Sequence, residues 1–269
     1  MKDSINKLKI YVCSLFGITA LCSIVFIISM FESFDASTGY FYNSVLVYIQ
    51  RILVVLSIAF FISLLFFIPK NTLPTKASKN KNEILFPSLF CGIIYAVATI
   101  MAFASVANNA SKITETGKYV FLGIIISGLL SAVFFIIDAF LPDNSHASLK
   151  VFFSIFLIIN LFLSIVYQHL DFFVGLNTPR KTLLFISFIA SALFIVQELR
   201  FKIDQHQPRA YVIFGSCAVL LCSVMTIPGI FAHILGAVKD SSFLPFYLMG
   251  LALMIYISAR IFIYAKNAE

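Results

Sequence analysis

Two serine–serine–acid stripes are the residues best placed to do chemistry in this chain. Ser127, Ser131 and Asp138 share the spacing Ser-x3-Ser-x6-acid with Ser187, Ser191 and Glu198. Steps of four and seven residues keep each set on one face of a helix. Ala59, Ser63 and Lys70 repeat the spacing with a base in place of the acid. All three sets lie in apolar runs, where an ionisable side chain costs roughly several kcal/mol and marks a functional position by default. The functional reading is a small-residue seam between even-numbered helices, closed at its inner end by Asp138, Glu198 and Lys70. Its carboxylates would carry a proton or coordinate a cation. The competing reading is structural: small residues let helices approach closely, and charges near a helix end snorkel to the interface. Glu198 also precedes Lys202 by four residues, the favourable order for an ordinary helical ion pair.

Asn160 lies mid-way along another apolar run, with Ser164, Tyr167 and Asp171 following on the same face. It reads as part of a polar pathway or as glue between helices, the latter worth about 1 kcal/mol. His169, Asp171, Arg180 and His233 fall at the outer ends of their runs and make a candidate outer-face site, because histidine titrates near neutral pH. Asn177-Thr178-Pro179 reads as a turn that starts the next helix, with proline near its first position. Pro228-Gly229 interrupts the run that ends in His233, and a helix that kinks or stops there is expected.

Recognisable catalytic sets are missing. The sequence holds no G-x-S-x-G turn, no H-E-x-x-H, no P-loop and no G-x-G-x-x-G loop. The four histidines fall in four separate regions, and no metal site has ligand spacing. No cofactor is implied. The five cysteines sit inside apolar runs without a C-x-x-C pair and read as small packing residues, not a disulfide framework.

These residues must be positioned by membrane helices. The chain is 61% hydrophobic and 12% charged, about half the charge of an ordinary soluble domain. Eight apolar runs, near 10–31, 45–68, 84–107, 119–141, 149–169, 182–200, 210–235 and 244–265, each approach the length of about 20 residues that a spanning helix needs. The first run is long for a signal peptide and reads as a retained helix. The predicted fold is an all-α polytopic bundle of about eight transmembrane helices, forming a single membrane-embedded domain over 1–269. A division into four plus four spans, 1–141 and 142–269, is suggested by a weak match at an offset of 141 residues: Leu8-Lys9-Ile10 with Leu149-Lys150-Val151, and Ser23-Ile24-Val25-Phe26 with Ser164-Ile165-Val166-Tyr167.

With the N-terminus inside, thirteen Lys and Arg fall on the inner side and five on the outer side. That bias predicts both termini in the cytoplasm. It also accounts for the net charge of +7 without a nucleic-acid partner. The lipid bilayer is the expected partner, and the Lys70–Lys81 loop is the candidate docking site for a membrane or cytosolic protein. The stretch from Leu176 to Lys181 through Gln197 to Phe201 resembles multi-span membrane proteins of low-GC Gram-positive bacteria. That resemblance covers about a tenth of the chain and implies no activity. Fourteen Lys against five Arg, with abundant Ile and Phe, fits an AT-rich genome and a bacterial plasma membrane. Three function classes follow. One is a permease-like carrier using the seam and its inner carboxylates. The second is a non-catalytic subunit of a larger membrane complex. The third, an intramembrane enzyme, is the least supported by motif.

Overall fold

A backbone in hydrocarbon must satisfy its hydrogen bonds within its own segment, so continuous apolarity without alternation dictates helices. The computed structural model describes residues 2–35, 40–42, 44–66, 73, 82–108, 114–141, 147–170, 178–203, 205, 207–237 and 243–266. The Lys70–Lys81 loop apart from Leu73, the proposed half-chain boundary at 142–145, and Asp171 lie outside these residues. Eight helices make up the described part: α1 (Lys2–Glu32), α2 (Val45–Phe66), α3 (Asn82–Asn108), α4 (Glu115–Phe140), α5 (Ala147–Leu170), α6 (Pro179–Lys202), α7 (Pro208–Ile234) and α8 (Leu244–Lys266). Each is long and apolar enough to cross a bilayer. The protein is an all-α polytopic bundle. Two short strands, β1 (Phe34–Asp35) and β2 (Tyr40–Phe41), pair antiparallel between α1 and α2, with Phe34 opposite Phe41.

Local chemistry sets the helix ends. Thr114 caps α4 by accepting a hydrogen bond from the Gly117 N–H at 3.2 Å. Pro179 and Pro208 open α6 and α7, where a missing N–H costs nothing. Of the two outcomes expected at Pro228-Gly229, a kink or a stop, the helix does not stop there: α7 continues to Ile234. The pair instead makes a notch for α8, since a Cβ on Gly229 would lie 2.6 Å from the Tyr247 ring. Membrane helices tolerate such a proline because neighbouring groups satisfy the freed carbonyl.

Packing builds a ring. α3 packs on α4, α4 on α5, α5 on α6, α6 on α7, α7 on α8, and α8 returns to α3. α1 lies against α7 and α8, and α2 against α1 and α7, so this pair flanks the ring. Two hydroxyl contacts tie α1 to α7: Tyr11 donates to Ser216 Oγ at 2.8 Å, and Ser23 and Ser223 share a 2.8 Å bond. α2 turns Ile52, Val55, Leu56 and Phe60 outward. Its Ala59 and Ser63 are exposed too, and the Ser63 hydroxyl is spent on the Ala59 carbonyl of its own helix. The described part of the third stripe, Ala59 and Ser63, therefore faces away from the bundle.

Candidate functional site

At the end of the bundle where α1 begins and α8 ends, charges from four helices meet inside the ring. Asp138 comes from the last turn of α4, Lys150 from the first turn of α5, Glu198 and Lys202 from the end of α6, and Tyr256 and Arg260 from α8. The described end of α3 adds Ser88. Lys150 and Arg260 are almost fully buried, at 0% and 1% exposure, and Asp138 and Glu198 at 3% and 2%. Ionised groups this far from water persist only when paired.

The pairing is dense. Asp138 Oδ1 accepts from Lys150 Nζ at 3.2 Å and Lys202 Nζ at 3.3 Å. Its Oδ2 accepts from Arg260 Nη2, from the Tyr256 hydroxyl at 3.0 Å and from Ser88 at 3.4 Å. Glu198 Oε1 lies 2.8 Å from Arg260 Nη2 and 3.7 Å from Lys202 Nζ. It is also 2.8 Å from the Tyr256 hydroxyl, which accepts from Arg260 Nε at 3.0 Å. Lys150 Nζ donates to the Leu141 carbonyl at 2.8 Å and so satisfies the end of α4. Rings shield the charges: Arg260 lies over Tyr256, Lys202 over Phe134, and Tyr256 meets Phe135 edge-on.

Tyr256 links the two carboxylates but has only one proton to donate. Its hydroxyl is within 3.0 Å of both Asp138 Oδ2 and Glu198 Oε1, so it serves one of them at a time. The other Glu198 oxygen, Oε2, is buried and has no partner.

A second polar layer lies toward mid-bundle. Asn160 donates to the Ile124 carbonyl at 2.8 Å and to Ser127 Oγ at 3.1 Å, and accepts from the Tyr95 hydroxyl at 2.5 Å. Both of its amide hydrogens are used, so α3, α4 and α5 are locked at one point. The lock requires close approach: a Cβ on Gly128 would fall 2.6 Å from Thr99 Oγ1 and 3.2 Å from Asn160 Nδ2. Ser131 bonds back to the Ser127 carbonyl at 2.6 Å.

The stripes on α4 and α6 do not form one seam. The α4 stripe lies against α3 and α5, through Thr99 and Asn160. The α6 stripe lies against α7, where Ser191 meets Cys222 Sγ at 3.2 Å and Ser187 bonds to the Leu183 carbonyl. Only their acidic ends converge, because α8 inserts Tyr256 and Arg260 between them. Lys150, Lys202 and Arg260 were counted by sequence as charges bordering the membrane, and the structure buries all three. The partial signal for them was position: Lys150 and Lys202 lie within one turn of a helix end and Arg260 within two, and only Lys202 has an acid, Glu198, one turn away in sequence.

The residues expected at the outer face scatter. Arg180 is buried, donating from Nε to the Tyr247 hydroxyl at 2.8 Å and stacking over Phe243 with 4.3 Å from its central carbon to the ring centroid. His169 is exposed beside the Phe185 ring, and His233 lies half-buried in the last turn of α7. Among the described residues no three His, Cys, Asp or Glu side chains gather as a metal set. The five cysteines are free.

No family model, curated protein or solved structure matches this chain.

Proposed function

We propose that the protein is a permease-like carrier in which the interior face of α5 lines the path and the charge cluster closes its terminus-bearing end. The observation that carries this reading is a buried polar stripe along the whole of α5: Lys150, Ser154, Asn160, Ser164 and Gln168. α5 is the most amphipathic of the eight helices, yet its polar side faces protein. A helix buried only for packing has no need of that side. Beyond Asn160, the stripe carries orphaned atoms: Ser164 Oγ and Gln168 Oε1 are buried without partners, as is Glu198 Oε2 at the cluster. Each such atom costs about 1–3 kcal/mol, which packing alone does not recover. Polar groups that face a passing solute recover it on binding.

In this reading Asp138 and Glu198 act with Arg260, Lys150 and Lys202 as an ion-paired gate. Asn160, with its amide saturated, is a joint. Ser127, Ser131, Ser187 and Ser191 hold helix contacts. The terminus-bearing end is cytoplasmic. Setting aside the four buried cations Lys150, Arg260, Arg180 and Lys181, and Lys202, whose side chain is 5% exposed, leaves ten positive residues on that side against three on the other.

Thiol accessibility tests the path without knowledge of the substrate. Ser164→Cys and Gln168→Cys are placed singly in a background whose five cysteines are replaced by serine. Membrane-impermeant thiosulfonate is then added to either face of oriented vesicles. A carrier gives measurable modification at both positions, buried though they are, with Leu161→Cys inert. Equal inertness at all three positions refutes the path.

A further inference from the structure

We infer that the carrier couples to protons and that Glu198 is the group that binds them. This role rests on the carrier reading and identifies the ion that works its gate. Among the described residues, three cations, Lys150, Lys202 and Arg260, meet two carboxylates at the cluster. A metal cation entering there would face three like charges and need several free oxygen ligands. A proton needs one lone pair and cancels the charge of the carboxylate it joins.

The contacts select Glu198 over Asp138. All three cations touch Asp138: Lys150 at 3.2 Å, Lys202 at 3.3 Å, and Arg260 through Nη2. A proton on Asp138 would withdraw a carboxylate from three buried cations at once, which is costly. A proton on Glu198 withdraws one from Lys202 and Arg260 only, and both of these keep Asp138. Asp138 also meets donors on both oxygens. Glu198 takes Arg260, Lys202 and the Tyr256 hydroxyl all on Oε1, and its buried Oε2 has no partner. Oε2 is thus the lone pair open to a proton.

The surrounding elements make the effect directional. On α5, Lys150 serves Asp138 and the Leu141 carbonyl; on α3, Ser88 serves Asp138, and Glu83 pairs with Lys266. α7 holds Arg209 over the Phe66 ring and Tyr211 among Phe194, Phe201 and Tyr264. The charges on Glu198 are therefore Lys202 of its own helix and Arg260 of α8, with Asp138 of α4 across Tyr256. Arg260 ties α8 to α4 through Asp138 and to α6 through Glu198. Protonating Glu198 breaks the second tie and leaves the first, so the end of α6 is released from α8 while α4 keeps its cations. The neutral acid also brings a hydrogen to Oε2, which has no partner in the closed cluster, and an unmatched buried donor favours release toward water. Acid therefore favours the released state, and rising pH restores the latch.

The test is the distance between spin labels at Val196→Cys on α6 and Phe262→Cys on α8, exposed positions two residues from Glu198 and Arg260. Electron–electron double resonance reads it in the full chain, freed of native cysteines and reconstituted in lipid. Between about pH 8 and about pH 5 a longer-distance population should grow about threefold or more, with a ceiling of about tenfold per pH unit for one proton. Glu198→Gln, the neutral isostere, should show the longer distance at both pH values and no pH response. A distribution unchanged by pH in the parent overturns the proposal, whether or not Glu198→Gln folds. A pH response that survives in Glu198→Gln belongs to another group and overturns it too. Thiol access to Ser164→Cys and Gln168→Cys separates the two readings. Modification there beside a pH-blind latch overturns the proton and keeps the carrier. An inert path beside a latch that follows pH overturns the carrier and keeps Glu198 as the proton-binding group.

Discussion

Replacing Arg260 by glutamine probes the charge cluster at its centre. Arg260 is 1% exposed; its Nη2 contacts both Asp138 and Glu198, and its Nε bonds to Tyr256. Removing the guanidinium leaves Asp138 with Lys150 and Lys202, but leaves Glu198 with a single cation, Lys202 at 3.7 Å, beside the neutral Tyr256 hydroxyl at 2.8 Å. Deleting one member of a buried ion pair costs about 3–5 kcal/mol, chiefly because the surviving charge stays buried and uncompensated. At about 2–4 °C per kcal/mol for a chain of this size, the melting temperature should fall by roughly 10 °C. A thiol-reactive dye reads this directly, since Cys91 and Cys222 are buried and react on unfolding; Cys13, which is exposed, is first replaced by serine. Adding Glu198→Gln to Arg260→Gln removes the stranded carboxylate and should restore part of the loss, with a coupling of about 1–3 kcal/mol. A melt within 2 °C of the parent, or strict additivity of the two changes, would refute the account of a buried, mutually dependent cluster.

Gly128→Ala should destabilise by about 1–3 kcal/mol, because the new methyl meets Thr99 and Asn160 at the three-helix lock, and the same melt measures it. Asn160→Leu should cost about 1–2 kcal/mol through loss of its bonds to Tyr95, Ile124 and Ser127, a modest figure because membrane hydrogen bonds average below 1 kcal/mol each. Ser63→Leu should leave stability within about 0.5 kcal/mol, as expected of an outward-facing site, whereas Ser131→Leu should unfold the protein or lower its melt by several degrees. Glu83→Gln should be silent: its ion pair with Lys266 spans 2.6 Å but is 57% exposed on the lysine side, and such pairs contribute about 0–1 kcal/mol.

The helices were legible in the sequence because lipid forces a one-to-one link between a long apolar run and a spanning helix. All eight predicted runs overlap observed helices. At Pro228 the sequence left a kink or a stop open, because a proline inside a membrane helix can be accommodated by its neighbours, and which neighbour does so, here Tyr247 against Gly229, is not written locally. The charge cluster was half legible. Asp138 and Glu198 stood out as acids at the ends of small-residue stripes. Lys150, Lys202 and Arg260 did not, since a base at a helix end normally snorkels to the interface, and nothing local in sequence separates one that turns inward. Spacing alone placed the α4 and α6 stripes on helix faces, but which neighbour each face meets follows from the ring order. The long-range partners of Arg180, in the hairpin after α1 and at the start of α8, are likewise invisible to periodicity.

The claim that the charge cluster is a gate is tested most directly by the distance between the helix ends it joins. Phe140 on α4 and Phe262 on α8 are exposed and lie two residues beyond Asp138 and Arg260. Spin labels at Phe140→Cys and Phe262→Cys, in a background free of native cysteines and reconstituted in lipid, report that distance by electron–electron double resonance. A carrier predicts two populations, one closed with the ion pairs intact and one open, with Arg260→Gln shifting weight to the open one. A single narrow distribution, unmoved by that substitution, would contradict a gate and leave the cluster as a fixed clamp between α4, α6 and α8.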